Sequence, residues 1–135
     1  MKRLIIILGL VIAVVAVFAF MLVDTIPRRS ITASHMMVIK RCILQHAHSH
    51  GELPHSLTGL PEMQGRDNCI RDGWGRNIIL EVSSSGIVTL RSLGRDGVVG
   101  GSGEDADMIG TFPSRDEQGR WSDEMVEWSH DPFSR

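Results

Sequence analysis

Three aspartates and a run of glycines crowd one short stretch, Ser92-Leu-Gly-Arg-Asp96-Gly-Val-Val-Gly-Gly-Ser-Gly-Glu104-Asp105-Ala-Asp107. Glycines between the acids permit tight turns and positive φ, so distant carboxylates can be folded toward one another. A hard cation such as calcium takes about six to eight oxygen ligands at roughly 2.3–2.6 Å from carboxylates, carbonyls and water. Asp96, Asp105 and Asp107 with inward-turned carbonyls are of that type. The stretch is not an EF-hand, because the acids do not alternate toward a final glutamate. Nor is it a phosphate-binding loop, since no Gly-Lys-Ser/Thr closes it and its charge is negative. From spacing alone, a calcium site and an ordinary acidic turn both stand.

The elements that must hold this loop read as α+β. Residues 30–48 place Ile31, Met36, Val38, Ile39, Cys42, Ile43 and Leu44 at mixed three- and four-residue spacings. That pattern predicts a helix with one buried face, beginning near Ser30 or Thr32 and ended by Gly51 and Pro54. Residues 51–73 read as loop. Residues 77–82 and 87–91 predict two strands joined by the Ser83-Ser-Ser-Gly86 turn. Beyond Pro113 the polar tail spaces Trp121, Met125 and Trp128 as one apolar stripe of a short helix. No internal repeat is visible.

Of 135 residues, sixteen are acidic, and all of these follow residue 23. Residues 4–23, LIIILGLVIAVVAVFAFMLV, carry no charge and match the roughly 30 Å apolar core of a bilayer. Lys2 and Arg3 before them favour a cytoplasmic N-terminus. An uncleaved signal anchor and a signal peptide cleaved near Val17-Phe18-Ala19 are both compatible with this segment. Either places the remainder outside the cytoplasm: a junction to residue 29, a domain over 30–112 and a tail over 113–135. Exported Cys42 and Cys69 then suggest a disulfide, which would close a loop of about 27 residues and be worth about 3 kcal/mol. Two unpaired thiols are the competing reading, because spacing does not establish their approach.

Other signals carry less. His46, His48 and His50 alternate near the helix end, with His55 close behind; at spacing two, imidazoles diverge on a helix. They read as a solvated terminus, where the dipole favours them. No Gly-x-Ser-x-Gly elbow marks a nucleophile, and nothing activates a cysteine, so no enzyme is expected. The chain has no tyrosine and few aromatics to stack bases, which argues against nucleic acid.

Asp72-Gly-Trp-Gly75, a strand pair, Ser92-Leu-Gly-Arg-Asp-Gly, Gly100-Gly and Asp105-Ala-Asp-Met together resemble the major pseudopilins of the type II secretion system. That family reads Asp-Pro-Trp-Gly, a strand pair, Ser-Leu-Gly-Ala-Asp-Gly, Gly-Gly and Asp-Ala-Asp-Ile. Leu53-Pro54 and Thr58-Gly-Leu60 are similar to its upstream signatures, so the likeness spans roughly residues 36–112. It implies a long N-terminal helix, its first half transmembrane, packed on a small antiparallel sheet. It further implies a structural calcium ion held by Asp96, Asp105, Asp107 and the Leu93 carbonyl, with Trp74 as core packing. The implied setting is the bacterial inner membrane, single-pass and periplasm-facing, with other pseudopilins or secretion components as partners and a homo-oligomer compatible with it.

The chain departs from the family at its start. No acidic residue precedes Asp24, and Gly9 is followed by Leu10, with Ala13 where the family has its filament-register glutamate. Gly73 also replaces the proline of Asp-Pro-Trp-Gly. The alternative expectation is therefore a stand-alone, membrane-anchored calcium-binding accessory domain outside any filament.

Overall fold

The computed structural model describes residues 9, 11–15, 17, 26–60 and 70–129. Gly9, residues 11–15 and Val17 are helical, but most of the apolar segment 4–23 lies outside the described residues. Among the described residues, no helix is long and apolar enough to cross a membrane. The described architecture is α+β, one long helix on a four-stranded antiparallel sheet.

Helix α1 spans Arg28–His50. It starts two residues before Ser30 and four before Thr32, the suggested caps, because Pro27 precedes the first turn and its carbonyl accepts the Ile31 N–H at 3.2 Å. Proline suits this position, where its missing N–H is not needed. At the other end Gly51 adopts φ 79° and donates its N–H to Ala47 O at 2.8 Å, a left-handed stop. Thr32, Ala33, Met36, Ile39, Ile43 and Ala47 form the buried stripe at three- and four-residue steps.

Strands β1 (Ile79–Val82), β2 (Ile87–Ser92), β3 (Met108–Pro113) and β4 (Glu127–Trp128) form a meander in that order. Register puts Val88 opposite Phe112, Leu90 opposite Gly110 and Ser92 opposite Met108. All six are buried, so one face of β2–β3 is the wall against which α1 packs its stripe.

The expected short helix in the tail is absent among residues 113–129. The chain instead runs back extended, with Val126 buried and β4 paired to β3. A Cβ at Gly110 would lie 2.8 Å from Val126 Cγ1 and 3.0 Å from Trp128 Cζ3, so a glycine is what lets this return strand close on the core. Met125, assigned to the apolar stripe, is 80% exposed. Helical spacing of three apolar residues lost to burial of a different one, Val126. Strands β3 and β4 were not read from the sequence.

Nor was a repeat. Residues 70–78 and 114–122 are two copies of one hairpin, Arg-Asp-x-x-Gly-Arg at its centre. In each, the aspartate N–H bonds the second arginine's carbonyl (Asp72 to Arg76, 2.7 Å; Asp116 to Arg120, 2.8 Å). Each aspartate Oδ1 accepts main-chain N–H groups two and four residues on, at 2.8–3.0 Å. The leading arginine caps the glycine carbonyl, Arg71 to Gly75 and Arg115 to Gly119. The motif is a self-contained turn in which one carboxylate satisfies two donors.

Candidate functional site: the glycine-rich loop and its anchor

The first hairpin copy is buried and organises the region. Asp72 is 4% exposed. Beyond its two main-chain donors, its Oδ2 accepts the Ser92 hydroxyl at 2.7 Å. That bond joins the Asp72 turn directly to the last residue of β2, where the acidic loop begins. Arg76 Nη1 reaches the Gly94 carbonyl at 3.0 Å, a second tie between the same two segments.

The start of α1 closes the junction. Thr32 Oγ1 accepts the Gly73 N–H at 2.9 Å, and Arg28 Nη1 donates to Gly73 O at 3.0 Å. A Cβ at Gly73 would stand 2.3 Å from the Arg28 carbonyl. Proline has that Cβ and lacks the N–H, so the helix contact gives a physical reason for glycine here. Arg29 Nη1 then donates to the carbonyls of Gly103 and Ala106, 3.0 Å each, pinning the far end of the loop to the same first turn. Trp74 is half-buried.

The four candidate ligand residues all lie on the connection between β2 and β3, each with its own partner. Asp96 Oδ1 accepts the Val98 N–H at 3.0 Å. Asp107 Oδ1 accepts from Gly100 N at 3.2 Å, with Arg91 Nη1 4.0 Å from its Oδ2. Leu93 O accepts the Gly97 N–H at 3.1 Å. Asp105 is clasped by Arg95 through Nε at 2.8 Å and Nη2 at 3.0 Å, while Arg95 Nη1 lies 3.5 Å from Glu104. The hydrogen bond to Asp105, then its charge, raises the Arg95 pKa.

Three carboxylates and a carbonyl are hard oxygen donors, so the residue types fit calcium. Their present arrangement does not assemble them: among the described residues no three His, Cys, Asp or Glu side chains form a group that could hold a metal. Arg95 occupies the place where the pseudopilin motif has alanine, and its guanidinium supplies positive charge beside Asp105. For the suggested disulfide, Cys42 is buried on α1, and Cys69 lies outside the described residues.

Sequence reasoning used Asp72 only as part of the Asp72-Gly-Trp-Gly75 resemblance and gave it no role, although it is the buried aspartate among the described residues of this region. Its signal was available in the Asp-x-x-Gly-Arg spacing, which occurs twice. An open cleft of about 600 Å³ lies elsewhere, between Leu53, Pro54, His55, Leu80, Arg115 and Trp121, and contains none of the candidate ligands.

No family model, no curated protein and no solved structure matches this chain.

Proposed function

We propose that the protein is a structural component without enzymatic activity. In this reading it is a pseudopilin-like head on an N-terminal membrane anchor, facing the periplasm from the bacterial inner membrane in a type II secretion or related filament system. The observation that supports it best is the Asp72–Ser92 bond. It ties together the two motifs that carry the resemblance and, through Gly73 and Thr32, ties both to the first turn of the helix following the apolar segment. A head built this way transmits position from anchor to loop. Its partners are other pseudopilins or inner-membrane secretion components.

Within that reading, calcium is held by Asp96, Asp105, Asp107 and the Leu93 carbonyl, in competition with Arg95 for Asp105. The ion supplies charge neutralisation and order to a loop that lacks regular structure. Saturation at 100 times Kd would add about 2.7 kcal/mol of stability. Thermal unfolding of the full chain in detergent, with calcium and with chelator, tests this. A calcium-dependent rise in Tm, abolished by Asp96→Ala and by Asp105→Ala and enlarged by Arg95→Ala, is the expected outcome. No calcium response in either the parent or Arg95→Ala removes the ion and leaves Arg95 as the counter-charge of Asp105.

Ala13 at the register-glutamate position favours a second reading, the stand-alone anchored accessory domain. Cysteine pairs introduced into α1 and into candidate pseudopilin partners separate the two. Cross-linking in cells supports filament membership, and its consistent absence supports the accessory domain.

A further inference from the structure

The histidines at the end of α1 do not all diverge. His46 and His50 are one helical turn apart, and their rings stack with centroids 4.2 Å apart and planes 16° from parallel. His48 points elsewhere, edge-on to Trp121 at 6.4 Å. Spacing two separates imidazoles on a helix, but spacing four places them side by side.

We propose that His46 and His50 form a two-imidazole site for a divalent transition-metal ion of the copper, nickel and zinc class. His50 Nδ1 lies 3.0 Å from the main-chain carbonyl of His46. A carbonyl only accepts, so Nδ1 is the donor, and in the neutral ring Nε2 carries the lone pair. Fixing one imidazole nitrogen against a carbonyl so that the other faces a metal is the usual support of a histidine ligand. Two imidazoles bound at about 2.0–2.1 Å need their nitrogens roughly 3 Å apart at a right angle. With the His50 ring held by its Nδ1 bond, the His46 ring reaches that geometry from 4.2 Å by rotation about χ2, a broad torsion for histidine.

Among the described residues no third His, Cys, Asp or Glu joins the pair. Water therefore completes the coordination, which suits a tetragonal ion that tolerates open positions and ranks copper(II) first. Imidazole nitrogen discriminates against calcium, so this site is chemically separate from the acidic loop. Bound metal would cross-link the last turn of α1 just before its Gly51 stop.

The test is titration of the full-length protein in detergent with copper(II) and nickel(II), followed by calorimetry and by the electron paramagnetic resonance of the copper form. One equivalent with a two-nitrogen signature is expected, unaffected by excess calcium. His46→Gln and His50→Gln should each weaken binding by about tenfold or more, while His48→Gln changes it by less than about twofold. The far-ultraviolet circular dichroism of each variant checks that the helix persists, as these side chains lie outside the core. Absence of saturable one-to-one binding overturns the proposal. So does equal weakening by His48→Gln, or retained binding in either pair variant.

Discussion

Asp72 and Asp116 show how one residue type in one local turn acquires different weight from its surroundings. Both accept the same two main-chain donors, but Asp72 also takes the buried Ser92 hydroxyl, whereas Asp116 Oδ2 faces Arg120 Nε at 2.9 Å near the surface. Burial by itself would raise the Asp116 pKa; the Arg120 hydrogen bonds and charge and the Gln118 N–H outweigh it and lower the value below 3.8. A depressed carboxylate contributes stability that is complete above 3.8 and lost as pH falls through the folded value, so Asp116→Asn should flatten the acid limb of the stability curve. Asp72→Ala strands three donors inside the fold and should cost about 2–4 kcal/mol by denaturant unfolding, well beyond Asp116→Ala. Lys40 behaves in the opposite sense on the alkaline side. It is buried, donates to Glu124 O and lies 5.3 Å from the Phe112 ring centre. Desolvation lowers its pKa, against the pull of Asp123 and Glu124. Below that lowered value the folded state carries a penalised charge, so stability should rise with pH through the window up to 10.5, and Lys40→Met should remove the rise.

At the scale of elements, the junction of α1 with the Asp72 hairpin and the docking of β4 on β3 are the two contacts that the strand–helix pattern alone does not imply. Gly73→Ala puts a methyl into the Arg28 carbonyl and should cost about 1–3 kcal/mol, seen as a lowered denaturation midpoint. Gly73→Pro should cost more, because the bond to Thr32 is also lost. For the return strand, Val126→Ala should destabilise by about 1–3 kcal/mol through its lost packing, whereas Met125→Ser should stay within about 0.5 kcal/mol. A helical tail would reverse that order, which makes the pair a direct test of the extended conformation.

Across the whole molecule, charge is divided along the chain: residues 96–135 hold ten acidic and three basic groups. The fold answers part of that imbalance internally. Arg91 and Arg95 approach Asp107 and Asp105, and Arg29 binds the loop's carbonyls from the helix. The acidic loop thus meets guanidinium groups from α1, the Asp72 hairpin, β2 and the loop itself, which is why the response of Arg95→Ala to calcium reads more of the site than any aspartate substitution alone.

The sequence by itself determined the long helix, the β1–β2 hairpin and the glycine-rich acidic connection, because periodicity, β-branched runs and turn residues are local signals. It also located the residues that could bind a hard cation. What those residues touch was decided only by tertiary structure: whether a carboxylate faces a metal, an arginine or an N–H depends on segments tens of residues away. The role of Asp72, quoted only as part of a motif, went unread for that reason, since it lies in Ser92 and in the first turn of α1. Strands β3 and β4 were missed because Gly110 interrupts the alternation of one and the other is two residues long, each defined by its partner. The histidine pair was missed for a simpler reason: neighbours in sequence drew attention at spacing two, while the helix brings spacing four together.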